Sequence, residues 1–163
     1  MELISMGIMM NINEIIIPTG NIVLTLTNVK TGKVEVDYYH NLFTTAGKES
    51  LANSIRGNTS NNKGIITYCA LGTGDTAPAL GDTTLEAEIE RKLISVRSVS
   101  NNQALFEIFF TTAEANGNLK EAGLFGDDAT GTKDTGTLFA RASIDRVKTD
   151  GDTLSLAWTV IIG

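Results

Sequence analysis

Apolar and polar residues alternate with a period of two along most of the chain, the spacing that turns one face of a β-strand inward and the other outward. In Ile22-Val23-Leu24-Thr25-Leu26-Thr27, the side chains of Ile22, Leu24 and Leu26 share a face. Asn28 to Gly32 then supplies a turn, and Val34 and Val36 resume the pattern, so a hairpin is expected. Near the C-terminus, Leu154, Leu156, Trp158, Val160 and Ile162 share a face opposite Ser155, Ala157 and Thr159. Asp150-Gly151 precedes that strand, and such a dipeptide suits a type I′ turn, whose two central residues need φ > 0. The expected partner is Leu138 to Val147, with Leu138, Ala140, Ala142 and Ile144 inward and Arg141, Ser143 and Asp145 outward. A further hairpin is expected at Asn101-Asn102, joining Leu93–Val99 to Ala104–Thr111. In the latter strand Phe106, Ile108 and Phe110 alternate with Leu105, Glu107 and Phe109. With both faces apolar, it is expected to be covered on both sides.

One segment departs from this period. Thr45 can cap a helix over Ala46 to Arg56, with Glu49 near its positive end and Gly57 placed as the stop. Leu51, Ala52 and Ile55 form a stripe suited to packing on a sheet. Leu85 to Lys92 reads either as a short helical turn or as a run into the following strand. Polar, glycine-bearing loops cover Asn58 to Gly64, Gly72 to Thr84 and Gly126 to Gly136, the last two long enough to carry function. The fold class expected is mainly β, an antiparallel β-sandwich with one α-helix packed on it at about residues 46–56. Residues 1–20 read as an N-terminal arm or edge strand, and residues 21–163 as a single domain. The arm is apolar at Ile15, Ile16 and Ile17, ends at Pro18-Thr19-Gly20, and could add a strand to a neighbour.

Composition narrows the partners. A chain of 163 residues with 42% hydrophobic and 20% charged residues can build a core and is too apolar to be disordered. Its formal charge of −6 repels phosphate backbones, and no Lys/Arg cluster offsets this, so nucleic acid is not an expected partner. The N-terminal stretch lacks a basic region and a small-residue cleavage site, and Asn11, Asn13 and Glu14 interrupt it too early for a membrane span. Synthesis in a cytoplasm without membrane insertion is therefore expected.

Catalytic and metal chemistry find little to stand on. His40 is the sole histidine and Cys69 the sole cysteine, so neither a multi-ligand zinc site nor a disulfide within the chain is expected. Cys69 lies in an apolar run and reads as a buried, inert thiol. No G-x-S-x-G accompanies His40, Gly47-Lys48-Glu49 lacks the rest of a phosphate-binding loop, and Gly72-Thr73-Gly74 reads as a turn. Asp127 and Asp128 do not follow the calcium-loop pattern and read as a solvated loop. No catalytic residue, cofactor or metal is expected. Tyr38 and Tyr39, at the end of a strand, are candidates for a protein or sugar contact; the plainer reading, which takes precedence, buries one ring and lays the other over a sheet edge.

Three local patterns then carry a resemblance. The first is Asn41-Leu42-Phe43-Thr44-Thr45-Ala46-Gly47-Lys48 leading into the helix. The second is Ala70-Leu71-Gly72-Thr73-Gly74-Asp75-Thr76-Ala77-Pro78, continuing through Asp82-Thr83-Thr84-Leu85-Glu86-Ala87-Glu88. The third runs from Thr111 to Gly117 into Lys120-Glu121-Ala122-Gly123-Leu124-Phe125, then Leu138-Phe139-Ala140-Arg141-Ala142 and the strand around Trp158. In this order they resemble small tail-fibre, collar and baseplate-associated structural proteins of tailed phages and phage-tail-like particles. The resemblance spans about Ile22 to Ile162 and implies a non-enzymatic virion component, oligomeric in the particle and contacting other particle proteins. A capsid decoration or head-fibre protein is the alternative within that class, and a receptor- or carbohydrate-binding module the alternative outside it. Gly123 in the third pattern is expected to admit a backbone or ring at close range.

Overall fold

The computed structural model describes residues 18–57, 60 and 63–163. It is a mainly β, two-sheet antiparallel sandwich with one helix, as the alternation implies. Sheet A contains β1 (Thr19–Asn28), β2 (Val34–His40), β6 (Val96–Ser100), β7 (Gln103–Phe110) and β10 (Asp152–Ile161), in the order β2-β1-β10-β7-β6. Sheet B contains β3 (Leu42–Phe43), β4 (Ile66–Gly72), β5 (Glu88–Leu93), β8 (Gly117–Gly126) and β9 (Thr137–Lys148), in the order β3-β9-β8-β4-β5. Helix α1 (Thr45–Ile55) joins β3 to β4 and packs on β9.

The core lies between the sheets. Ile22 and Leu24 of β1, Leu154, Leu156 and Trp158 of β10, and Phe110 of β7 meet Leu71, Leu119, Leu124 and Phe139 from sheet B. Trp158 is fully buried, and its indole N–H donates to Asn41 Oδ1 at 3.1 Å, which satisfies the polar end of the ring. Cys69 is fully buried too; desolvation first, then the nearby Glu88 charge, pushes its thiol up to about 12. It is a core side chain.

The β1–β2 and β6–β7 hairpins form as expected, with Asn101 at φ 53 in the second turn. Leu93 belongs to the preceding strand β5, and the chain changes sheet at Ile94-Ser95 before β6 begins at Val96. Residues 88–93 are strand, not helix. Thr19 and Gly20 are the first residues of β1 and not a turn. The arm's Ile15, Ile16 and Ile17 lie outside the described residues, as do Asn58 and Thr59 of the Asn58-Gly64 loop.

The C-terminal hairpin does not exist. β9 pairs with β8 and β3 in sheet B, whereas β10 pairs with β1 and β7 in sheet A. Asp150-Gly151 therefore arches from one sheet to the other, and neither residue has positive φ. Asp152 holds the arch: its Oδ2 accepts from Thr149 N (3.0 Å) and Thr149 Oγ1 (2.6 Å), and its Oδ1 from Asn28 Nδ2 (2.9 Å). A dipeptide compatible with I′ geometry permits that turn without imposing it, because two core-facing strands can face each other as well as pair.

Two further expectations reverse. The helix is capped by Thr44, whose Oγ1 accepts from Gly47 N at 3.0 Å, one residue before the expected cap. Its buried residues are Gly47 and Ser50, not the Leu51/Ala52/Ile55 stripe, and Ile55 is 89% exposed. A Cβ on Gly47 would lie 2.6 Å from Phe139 Cα and O, so the absent side chain is what lets helix and strand touch. In β2, register places Val34 and Val36 beside Thr27 and Thr25, on the outer face; Glu35, Asp37 and Tyr39 point inward. The inward row lies at the sandwich edge and meets β9: Arg146 bonds both Glu35 and Asp37, while the Tyr39 ring packs against the core and its Oη donates to Asp145 O at 3.1 Å.

Candidate docking surface

The outer faces of the two sheets are treated differently. That of sheet B is roofed by the segments that follow β4 and β8. Beneath the first, Glu121 of β8 accepts from Gly74 N (3.1 Å), Ala87 N (2.7 Å) and Glu86 N (2.9 Å). Arg141 of β9 donates to Glu121 (3.1 Å), to Asp82 Oδ2 (2.7 Å) and to Thr76 O (3.1 Å). Burial pushes the Asp82 carboxyl upward, but the Ala79 amide and Arg141 outweigh it, and the net shift is down. A Cβ on Gly72 or Gly74 would come within 2.4 Å of Glu121 Oε1 or Glu86 Cβ, respectively, so those glycines make room for the carboxylates. Gly123 similarly admits Leu85, Leu138 and the Phe125 ring, all 3.0–3.1 Å from where a Cβ would stand.

A second buried pair pins the other roof. Arg91 bonds Glu88 at 2.6 and 2.7 Å, both side chains 1% exposed, and donates to Thr130 O (3.2 Å) and Thr135 O (3.0 Å). Its guanidinium stacks 4.4 Å above the Phe125 ring centroid, a favourable cation–π contact. Asp127, at φ 56, is consumed structurally: its oxygens accept from Ser50, Gly64 N, Lys63 and Thr137 at 2.6–3.0 Å. Burial raises its pKa, but these four donors overcome that and lower it. Asp127 is buried, which corrects its reading as part of a solvated loop. Both long loops are thus fastened to sheet B.

Among the described residues, sheet A has no such roof. Register sets out its outer face in rows across the strands: Tyr38, Val23, Ala157, Glu107 and Val96 in one, and Val36, Thr25, Ser155 and Phe109 in the next. A neighbouring row runs His40, Asn21, Thr159, Leu105 and Ser98. Tyr38 is 77% exposed and Phe109 45%, so β7 is covered on one face only, contrary to expectation. Glu107 is the one carboxylate in these rows, and no Lys or Arg occurs in them. A broad face of Val, Thr, Ser, Ala and aromatic residues with charge nearly absent has the composition of an interface core. Among the described residues, the edge strands β2 and β6 each have one side unpaired, which extends the surface available to a partner.

The candidate residues divide accordingly. Tyr38 lies on the bare face, whereas Tyr39 ties β2 to β9 through the Asp145 backbone. His40 sits on the same outer face with Nδ1 2.7 Å from Asn21 Oδ1, whereas the buried Cys69 lies in β4 of the other sheet. Among the described residues, no group of three or more His, Cys, Asp or Glu side chains is placed to hold a metal ion, and no helix is long and apolar enough to cross a membrane. Val36, Phe109 and Val96 were not singled out by sequence. The signal was present in Val34-Glu35-Val36-Asp37-Tyr38, where acids alternate with apolar residues and either set can be the inward one. Compared with protein-family models, with curated proteins and with solved structures, the chain matches none.

Proposed function

We propose that the protein is a non-enzymatic structural component of a bacteriophage virion or phage-tail-like particle, tail-, collar- or baseplate-associated, that docks through the outer face of sheet A. The observation that carries this reading is the asymmetry of the sandwich: among the described residues, one outer face is roofed and pinned by buried ion pairs, while the other is bare and almost uncharged. A protein repeated within a particle needs such a rigid body with a face left for its neighbours.

The three patterns behind the phage resemblance also converge on one physical unit. Leu42-Phe43 pairs with Ala140-Arg141, and Glu121-Ala122-Gly123 pairs with Arg141-Ala142-Ser143. The Gly72-Thr73-Gly74 segment and Leu85-Glu86-Ala87 close over Glu121. Their shared order is therefore what a strand pair and its roof require, which supports reading them as one inherited module. A second reading, a receptor- or carbohydrate-binding module, draws on the exposure of the Tyr38 ring.

The test is co-purification. Particles banded from a producing culture and digested for mass spectrometry should contain this chain at many copies per particle. Finding it only in the unbanded supernatant would overturn the proposal, and retention there on glycan arrays, abolished by Tyr38→Ala, would favour the second reading.

A further inference from the structure

Of the apolar side of helix α1, only Leu51 packs against the core, and the rest is turned outward. Leu51 is half-buried, Ala52 and Ile55 are exposed, and together with Lys48, Pro18 and Ile162 they line a groove of about 420 Å³. Leu51 and Ile162 also border an adjoining hollow walled by Phe43, Ile66, Phe106 and Val160, so the apolar surface continues toward the end of the sandwich. An isoleucine left 89% exposed beside this surface is unusual, since burying such a side chain contributes about 1.5–3 kcal/mol.

The geometry points to the chain's own residues 12–17 as the occupant of this groove, laid along α1 in the same molecule. Pro18 is itself part of the groove wall, and Ile15-Ile16-Ile17 precede it directly. Six extended residues reach up to about 20 Å, whereas the helix face from Lys48 to Ile55 rises only about 10 Å. Eleven of the first seventeen residues are apolar (Met1, Leu3, Ile4, Met6, Ile8, Met9, Met10, Ile12, Ile15, Ile16 and Ile17), and the segment has no Lys or Arg. Its nearest acid to the groove is Glu14; Lys48 on the groove wall has no ion-pair partner among the described residues. Direct attachment also gives this segment a local concentration that a separate molecule lacks. The covering of α1 rests on the groove and its attachment alone, whatever particle the protein serves.

Cysteine pairs test it. Ile15→Cys and Ile16→Cys, each combined with Ile55→Cys in the full chain, should under mild oxidation give a disulfide within one chain in at least one pair, seen as a mobility shift of the monomer on a non-reducing gel. Ile16→Cys combined with Thr31→Cys, in the turn beyond the far end of β1, should give none, and the buried Cys69 stays out of reach. Disulfide-linked dimers in place of the monomer shift would assign the groove to a second copy's arm and overturn the proposal; no cross-link in either pair would overturn it as well. Labelling of the variant Ile55→Cys by a maleimide supplies the second measurement, and should speed up severalfold when Ile15→Asp and Ile16→Asp are added in the full chain. An unchanged rate would contradict the assignment.

Discussion

Arg141 holds its guanidinium 2.9 Å from the Glu121 carboxylate, and both side chains are sealed on the outer face of sheet B beneath the segment that joins β4 to β5. The pair does more than offset two buried charges. Glu121 spends its remaining capacity on three backbone N–H groups of that segment, and Arg141 reaches Asp82 and the Thr76 carbonyl from below. A loop that would otherwise carry unsatisfied backbone donors is thereby converted into a fixed roof.

Removing the cation should consequently be severe. Arg141→Ala leaves Glu121 buried without its counter-charge, a change that typically costs about 3–5 kcal/mol. Urea unfolding should show that loss, and limited proteolysis should newly cut between residues 73 and 87. Arg141→Lys should recover only part of it, because an ammonium cannot reproduce the forked donor set.

Gly47 should respond opposite to a normal helical glycine. In an exposed helix interior, Gly→Ala gains about 1 kcal/mol. Here a Cβ would stand 2.6 Å from the Phe139 backbone, so Gly47→Ala should destabilise by about 1–3 kcal/mol through overpacking. Thermal or urea melts of the variant read the sign directly.

The arch between β9 and β10 separates two residues that a hairpin would treat alike. Gly151 has no positive φ, and its nearest contact to a built Cβ is 3.4 Å, so Gly151→Ala should fall between neutral and about 1 kcal/mol stabilising. Asp152→Ala removes the acceptor for Thr149 and Asn28 and should cost about 1–3 kcal/mol. A type I′ hairpin would instead make Gly151→Ala clearly destabilising, which unfolding curves distinguish.

Acid should weaken the fold through Glu114. Its hydrogen bond from Lys92, then that from the Thr111 amide, take it from its ordinary 4.5 down to about 2. The unfolded chain therefore binds this proton at higher pH than the folded one does. The stabilisation is complete above 4.5 and is lost as pH falls toward 2. Glu114→Gln should lower stability at pH 7 and flatten the fall between those values, measured by denaturation across the range.

Much of the architecture was legible because strand alternation reports burial directly. Ile22, Leu24 and Leu26, and Leu154, Leu156, Trp158 and Val160, all face the core as their spacing implies. Pairing was less legible: β9 and β10 are adjacent in sequence and both apolar, and nothing local tells a paired hairpin from an arch between sheets. The helix misled because its apolar stripe is longer than its contact; Gly47 and Ser50 are too small to register as a packing face. The bare face of sheet A was hidden for a related reason. Thr, Ser and Val satisfy a strand equally well in water or against a partner, and only the neighbouring strands reveal that Tyr38, Val36, Val96 and Phe109 gather on one side. By spacing Arg141 reads only as an outward residue and Glu121 only as part of a local pattern, because their meeting depends on the pairing of β8 with β9.

Hydroxyl-radical footprinting of Tyr38 and Phe109, in the isolated chain and in purified particles, addresses the docking face most directly. Both rings should be labelled readily in the isolated chain and strongly protected in the particle, while Tyr68 on sheet B changes little. Equal labelling of Tyr38 and Phe109 in the two states would contradict docking through the outer face of sheet A.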